Sequence, residues 1–378
     1  MSWLDPVPFL RGTAWLDPRC RGRAVRAAPG ALARLPWDTA QRAALPIGVR
    51  LEFTASPGTR AVEVRYRTSV PEGHGHADDG DSADDAENAD GAEYADGADP
   101  LRALGHCFAL WEGERCVGET CTKPEEDGAE EATVILELPG DSTSTRSRLG
   151  PFTVHPPEAV GPVVLGVRAV GGGIAPAAPR PRWVVHGDSI TEGWWSTRPA
   201  HAWPAVAGRM LGVDAVNLGY AGSARGELPV AEQLAALPAE LLTLAFGTNC
   251  WSGTPFSAPL LYETVRAFVA LVRRGHPDTP LLLVSPVLRP DAETTPNALG
   301  ATLAQLRTAM EEAVRDLVAA GDTRLSLLPG RDVLRPEHLV DGLHPDDTGH
   351  ALIAAAVARA LRPYTGRGGS GRVAAPPE

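Results

Sequence analysis

Residues 186–193 read His-Gly-Asp-Ser-Ile-Thr-Glu-Gly and follow the apolar run Trp183-Val184-Val185. A buried strand that breaks at a glycine and delivers a serine can present a nucleophile. A serine hydroxyl attacks poorly until a base takes its proton. Asp341-Gly-Leu-His344, near the end of the chain, supplies such a base. A separation of three residues lets the carboxylate hold the nearer ring nitrogen, and the other nitrogen then faces Ser189. Pro345 stiffens that turn, and Asp346, Asp347 and Thr348 read as the cap of a final helix. Attack on an ester or thioester creates an oxyanion, which needs donors aimed in advance. Three candidates are the Ser189 N–H, the Gly222 N–H in Asn217-Leu-Gly-Tyr-Ala-Gly-Ser, and the side-chain amide of Asn249 in Gly-Thr-Asn.

Each piece has a plainer reading on its own. Gly187-Asp188-Ser189 is also a helix-capping turn. Asp341 and His344 also suit a surface turn or a pair of metal ligands. Asn249 also suits a turn, and Asn217 the end of a strand. Their order along the chain, each at the end of a strand, favours one catalytic site. His186 precedes the nucleophile turn and points into the sheet. His201 and His350 have no partner evident from sequence and read as structural.

The elements that would position these residues follow from periodicity. After residue 180, apolar runs at 182–186, 213–218, 240–246, 280–285 and 323–328 alternate with helical patterns at 201–211, 228–237, 257–274, 297–320 and 346–361. Such alternation predicts a parallel sheet with helices on both faces. Chemistry in these sheets gathers beyond the carboxyl ends of the strands. Ser189, Gly222, Asn249 and the Asp341/His344 loop all fall on that edge.

Residues 1–175 look different. Leu51-Glu-Phe-Thr and Ala61-Val-Glu-Val-Arg-Tyr-Arg alternate apolar and polar across a Ser-Pro-Gly turn. Further strands are expected at 107–111, 133–138 and 163–169, which together predict a β-sandwich. The stretch 171–182 reads as a linker by composition, and 366–378 as a flexible tail. Expected boundaries are therefore 1–175 and 176–365. Two domains also suit a chain of 378 residues. Residues 72–99 hold eleven Asp or Glu and no Lys or Arg, so most of the net charge of −12 is local. The segment 72–100 is expected to be a disordered insertion. His74 and His76 at its start invite a metal reading, and a solvated polar loop is the plainer one.

Outside that segment the chain is near neutral, so nucleic-acid binding has no basic footprint. No run approaches the roughly 20 apolar residues that span a bilayer. The first residues lack the pattern of a secretory signal. Five cysteines, an odd number, then suggest reduced thiols and a cytoplasmic protein. Cys116 and Cys121 could still bridge if oxidised. The lone lysine, Lys123, among many arginines reflects genomic composition. No metal or cofactor is expected.

Four blocks carry a resemblance: Gly187-Asp188-Ser189 with Ile190-Thr191, Gly222 five residues after Asn217, Gly247-Thr248-Asn249, and Asp341-Gly-Leu-His344. They resemble the SGNH, or GDSL-type, hydrolases across about residues 180–363. The resemblance implies a flavodoxin-like α/β/α fold with a five-stranded parallel sheet, preceded here by a jelly-roll-like β domain. It implies Ser189 as nucleophile, His344 as base, Asp341 as its orienter, and Ser189, Gly222 and Asn249 as oxyanion donors. The layout is similar to an actinobacterial branch that includes acyltransferases of tetracycline biosynthesis. Expected partners are a small acyl ester or thioester donor and an alcohol acceptor, such as a polyketide or sugar hydroxyl in secondary metabolism. Trp194, Trp195 and Trp251 flank the motifs and either line an aromatic pocket or pack against the β domain. Two other readings stand beside this one: a carbohydrate acetyl esterase, and a non-catalytic carbohydrate or ligand binder using Trp3, Trp15 or Trp37 of the β-sandwich. Those tryptophans otherwise belong partly to the β core.

Overall fold

The computed structural model describes residues 2–68, 107–122, 131–139 and 149–365. The acidic stretch with His74 and His76, and the tail from 366, lie outside the described residues. In the first half the described strands are β1 (Leu10–Arg11), β2 (Trp15–Leu16), β3 (Ala24–Val25), β4 (Arg50–Ala55), β5 (Ala61–Thr68), β6 (Cys107–Glu112), β7 (Arg115–Cys121), β8 (Ala132–Glu137), β9 (Leu149–His155), β10 (Pro162–Val170) and β11 (Ile174–Pro176). The alternation read in β5 is real: Val62, Val64 and Tyr66 are buried while Arg67 is exposed. One antiparallel sheet runs β1-β4-β9-β6-β7, with β11 added to β4, and a second runs β10-β5-β8. Both contribute to one core that includes Leu51, Phe53, Val64, Phe108, Phe152 and Val167. This is the expected sandwich.

Several expectations need correction here. The linker stretch 171–182 is partly strand, because Ile174–Pro176 pair with Phe53–Ala55. The first region also contains a helix, α1 (Trp37–Ala43). Ala27, Leu35 and Ala43 around it lie in the core of the second half, beside Tyr220, Val230 and Phe246. The tryptophans are not β-core residues. Trp37 is 75% exposed, Trp15 packs against the second-half core, and the guanidinium groups of Arg65 and Arg168 lie over the Trp3 ring. Reduced thiols throughout are not found either. Cys107 and Cys121 are directly opposed in the β6–β7 ladder and form a disulfide. Cys116, the expected partner, sits opposite Trp111 and remains a free, exposed thiol.

The second half contains β12 (Arg182–Gly187), α2 (Ser189–Glu192), α3 (Trp203–Leu211), β13 (Asp214–Gly219), α4 (Leu228–Ala236), β14 (Leu241–Ala245), α5 (Ala258–Gly275), β15 (Leu281–Val284), α6 (Leu303–Ala319), β16 (Leu325–Leu328) and α7 (Asp347–Thr365). The five strands are all parallel and ordered β13-β12-β14-β15-β16. Such strands are covered on both sides, so they read as unbroken apolar runs; Leu281–Val284 are all buried. One face packs on α4, α5 and α6, the other on α3 and α7. The helix expected from residue 297 begins at Leu303 instead. Thr302 and Gln305 form a reciprocal capping box there.

A buried ion pair helps dock the two halves. Arg50 of β4 donates to Asp214 at the start of β13 at 2.8 Å, and also to Glu52 at 2.8 Å. The Gly12 N–H reaches the same Asp214 oxygen at 2.9 Å. Removing one member of such a cluster strands the others, at a cost of about 3–5 kcal/mol. Among the described residues, no helix is long and apolar enough to cross a membrane.

Candidate active site

Strand order reverses on either side of β12, and a crevice opens at such a switch point. Ser189 follows β12 there. Gly187 lets α2 fold back tightly: a Cβ at 187 would stand 2.1 Å from Thr191 Oγ1 and 2.3 Å from the Ala245 carbonyl oxygen. Asp188 caps the short helix, accepting the Ile190 N–H at 3.0 Å. Burial pushes its carboxyl up to about 6, against the N–H groups of Ile190 and Thr191 and the nearby His344. The capping reading and the nucleophile reading of this turn therefore coexist.

The Asp341/His344 turn closes over that serine. Ser189 Oγ lies 2.8 Å from His344 Nε2. His344 Nδ1 lies 2.7 Å from Asp341 Oδ2. Asp341 Oδ1 accepts the backbone N–H groups of His344 and Leu343 at 2.7 and 3.0 Å. Burial alone would raise the Asp341 carboxyl. The hydrogen bond and charge of His344, with those two N–H groups, outweigh it and hold the carboxyl well below the ordinary range. An ionised carboxylate only accepts, so Nδ1 carries the ring proton and Nε2 can accept from Ser189. Ser189 and His344 are both buried.

Asn249 reaches the loop after β13 that holds Gly222. Gly222 has φ +68°, in the left-handed region that favours glycine. Asn249 Nδ2 donates to the carbonyl of Ser223, one residue further on. An amide nitrogen carries two hydrogens, so this bond orients the group without using both. Asn217 ties the same region down by donating to the Thr191 carbonyl at 2.8 Å and accepting the Gly219 N–H at 2.8 Å. It does more than close a strand.

The three flanking tryptophans have separate places. Trp194 stacks on the His344 ring, centroids 5.1 Å apart. Trp195 has φ +64° and donates its indole N–H to Asp341 Oδ2 at 3.0 Å. Trp251 donates to the Thr295 carbonyl at 2.8 Å and lies under Arg289. The histidines read as structural do have partners. His350 donates to the Trp194 carbonyl at 2.9 Å, and burial lowers its pKa to about 4. His201 binds Asp347 at 2.9 Å. Asp347 is thus engaged, and Asp346 caps α7 by accepting the Gly349 N–H at 2.7 Å. His186 is fully buried, stacks on Phe268 and binds the Leu218 carbonyl, away from Ser189.

Sequence reading missed Trp195 as a fourth donor to Asp341, and it missed everything supplied by residues 26–42. Arg42 pairs with the buried Glu192 of α2, Arg26 donates to the Gly219 carbonyl, and Asp38 pairs with Arg225 at 2.7 Å. No local signal marks these contacts, because their partners lie 150 to 193 residues away.

Residues 185–352 match the family described as GDSL-like lipase/acylhydrolase. Solved structures of similar fold span nearly the whole chain. The salicylyl-acyltransferase SsfX3 from a tetracycline biosynthetic pathway is 22% identical, with a TM-score of 0.72 over 95% of each chain. A putative GDSL-like lipase from Bacteroides ovatus is 18% identical, with a TM-score of 0.67 over 96% of this chain and 97% of that one. A family two carbohydrate esterase from Clostridium thermocellum is 15% identical, with a TM-score of 0.56 over 84% and 92%. No curated protein matches the chain by sequence. Residues 185–352 therefore carry a GDSL-like lipase/acylhydrolase domain, and the protein is an enzyme of acyl-ester chemistry.

Proposed function

We propose that Ser189 attacks the carbonyl carbon of a small acyl ester or thioester and carries the acyl group. The supporting observation is the unbroken relay from Ser189 Oγ through His344 to Asp341, at 2.8 and 2.7 Å. As the Oγ–carbon bond forms, the serine proton passes to His344 Nε2, and Asp341 stabilises the resulting imidazolium. Negative charge moves to the former carbonyl oxygen. The N–H groups of Ser189 and Gly222 and the Asn249 amide serve as its donors. His344 then returns the proton to the departing alcohol or thiol, leaving an acyl-serine. A second hydroxyl repeats the steps in reverse and frees Ser189. If that hydroxyl is water, the enzyme is an esterase; if it belongs to an alcohol, an acyltransferase.

We favour an alcohol acceptor, such as a polyketide or sugar hydroxyl. Support comes from the two-part architecture shared along nearly the full length with a salicylyl acyltransferase. A carbohydrate acetyl esterase is the second reading, supported by the likeness to family two carbohydrate esterases. The exposed Trp37 keeps a carbohydrate-binding role in view. The Cys107–Cys121 bridge suits an oxidising compartment.

The test is Ser189→Ala with p-nitrophenyl acetate. Turnover should fall by about 10⁴-fold or more while the fold persists, and a fluorophosphonate should label the native chain at Ser189. Full activity in the variant, or no labelling of the native chain, ends this reading. Incubating an acyl thioester with polyhydroxy or glycosylated acceptors separates the two outcomes: free acid as the sole product removes the transferase reading.

A further inference from the structure

Arg42 stands on α1, outside the family-matched domain, yet it touches two supports of the site at once. Its Nη2 pairs with Glu192 Oε1, and its Nε lies 3.3 Å from Oε2. The same Oε2 accepts the Ala221 N–H at 2.8 Å, one residue before Gly222. The Arg42 guanidinium also lies over the Trp194 ring, 5.8 Å from its centroid. That ring backs His344. Glu192 has no exposed side-chain surface. Burial alone would raise its carboxyl, but the charges of Arg42 and Arg26 bring it below its ordinary value.

The neighbours of Arg42 press on the same loop. Asp38 pairs with Arg225, whose Nη1 donates to the Gly222 carbonyl at 3.1 Å. The Thr39 hydroxyl contacts the Ser223 hydroxyl, and the Ser223 carbonyl holds Asn249. Both oxyanion donors outside α2 are therefore braced from the first region of the chain.

We propose that Arg42 is a positioning residue: through Glu192 and Ala221 it fixes the Gly222 N–H, and through Trp194 it fixes the plane of His344. This rests on the Ser189–His344 reading above. Misplacing a reacting group by about 1 Å costs on the order of 10²-fold in rate. A planar, forked guanidinium can bridge both Glu192 oxygens and lie flat on an indole, which an ammonium cannot do together.

The experiment compares Arg42→Ala and Arg42→Lys with the native chain on p-nitrophenyl acetate. Expected for Arg42→Ala is a kcat lower by about 10- to 100-fold, with KM within about twofold. Arg42→Lys should recover part of that loss by keeping a charge opposite Glu192. Added guanidinium at about 20 mM, well below denaturing strength, should raise kcat of Arg42→Ala and leave the native enzyme unchanged. A native kcat in Arg42→Ala, a loss matched by the unfolded fraction, or a loss carried by KM overturns the proposal. If Arg42→Ala does not fold, Arg42→Lys decides: native kcat there overturns it, and a reduced kcat at native KM and melting temperature supports it. Fluorophosphonate labelling of the native chain is run in parallel. Absence of label at Ser189 defeats the underlying reading, whereas label at Ser189 with native kcat in the Arg42 variants defeats this inference alone.

Discussion

Replacing Asp341 by asparagine removes one charge at nearly constant shape, and the structure indicates how much should be lost. At an effective dielectric constant of about 20, opposite unit charges separated by the 2.7 Å contact to His344 attract by about 6 kcal/mol. The Asp341 side chain is 18% exposed, so water screens part of this. Keeping half leaves about 3 kcal/mol, or roughly 10²-fold in rate. A second effect adds to it. Asp341 Oδ1 accepts two backbone N–H groups, so the amide oxygen of an asparagine is held at that position. Its NH₂ group then replaces Oδ2, where it meets His344 Nδ1 and the donating Trp195 indole. The imidazole proton must move to Nε2, and Ser189 loses its acceptor. Wrong-tautomer losses of this kind reach about 10⁴-fold. Asp341→Asn should therefore lower kcat on p-nitrophenyl acetate by about 10³- to 10⁴-fold, with labelling of Ser189 slowed in proportion. A loss below about tenfold in a folded variant would refute the coupling of Asp341 to the base.

Two further outcomes follow from groups away from the relay. Burial pushes the Glu158 carboxyl up from its ordinary 4.5 to about 8, against the Gly48 N–H and the Arg26 charge. The folded state then holds a proton that the unfolded chain releases, so this stability is complete below about pH 4.5 and is lost as pH rises through about 8. Urea titrations should show a decline of up to about 5 kcal/mol across that window, and Glu158→Gln should flatten it; an unchanged slope counts against the assignment. The Cys107–Cys121 bridge predicts three reactive thiols in the unfolded, unreduced protein, those of Cys20, Cys116 and Cys250. Ellman titration giving five would remove the bridge, and with it the indication of an oxidising compartment.

Much of the second half was legible because its signals are local. Unbroken apolar strands such as Leu281–Val284 and helices of 3.6-residue period declare themselves in short windows. Ser189 and Asn249 each stand just past such a run, and His344 lies in the loop between the last strand and the last helix, so placing the elements placed the residues. What escaped the sequence depends on register or distant packing. β7 was missed because Arg115–Cys121 is mostly exposed and lacks an apolar stripe. Cys121 bridges to Cys107 and not to Cys116 because pairing follows the β6–β7 ladder, which spacing along residues 107–121 does not specify. Trp195 is visible in the sequence as a neighbour of the nucleophile turn, but its bond to Asp341 spans 146 residues and has no local signal. The start of α6 slipped by six residues because an apolar pattern does not reveal where a capping box begins.

The seating of Ala27, Leu35 and Ala43 among Tyr220, Val230 and Phe246 has a consequence for synthesis. These alanines and this leucine leave the ribosome well before the first strand that receives them, which begins near Arg182. At about 5–20 residues per second, the delay is roughly 8 to 30 s. During that interval the β-sandwich can close, but the segment carrying Arg26 and Arg42 has nothing to pack on. The α/β half, once made, completes its core with chain that has been waiting. Expressed from residue 176 onward, it would present that apolar seat to solvent, a surface of the kind through which folding intermediates aggregate.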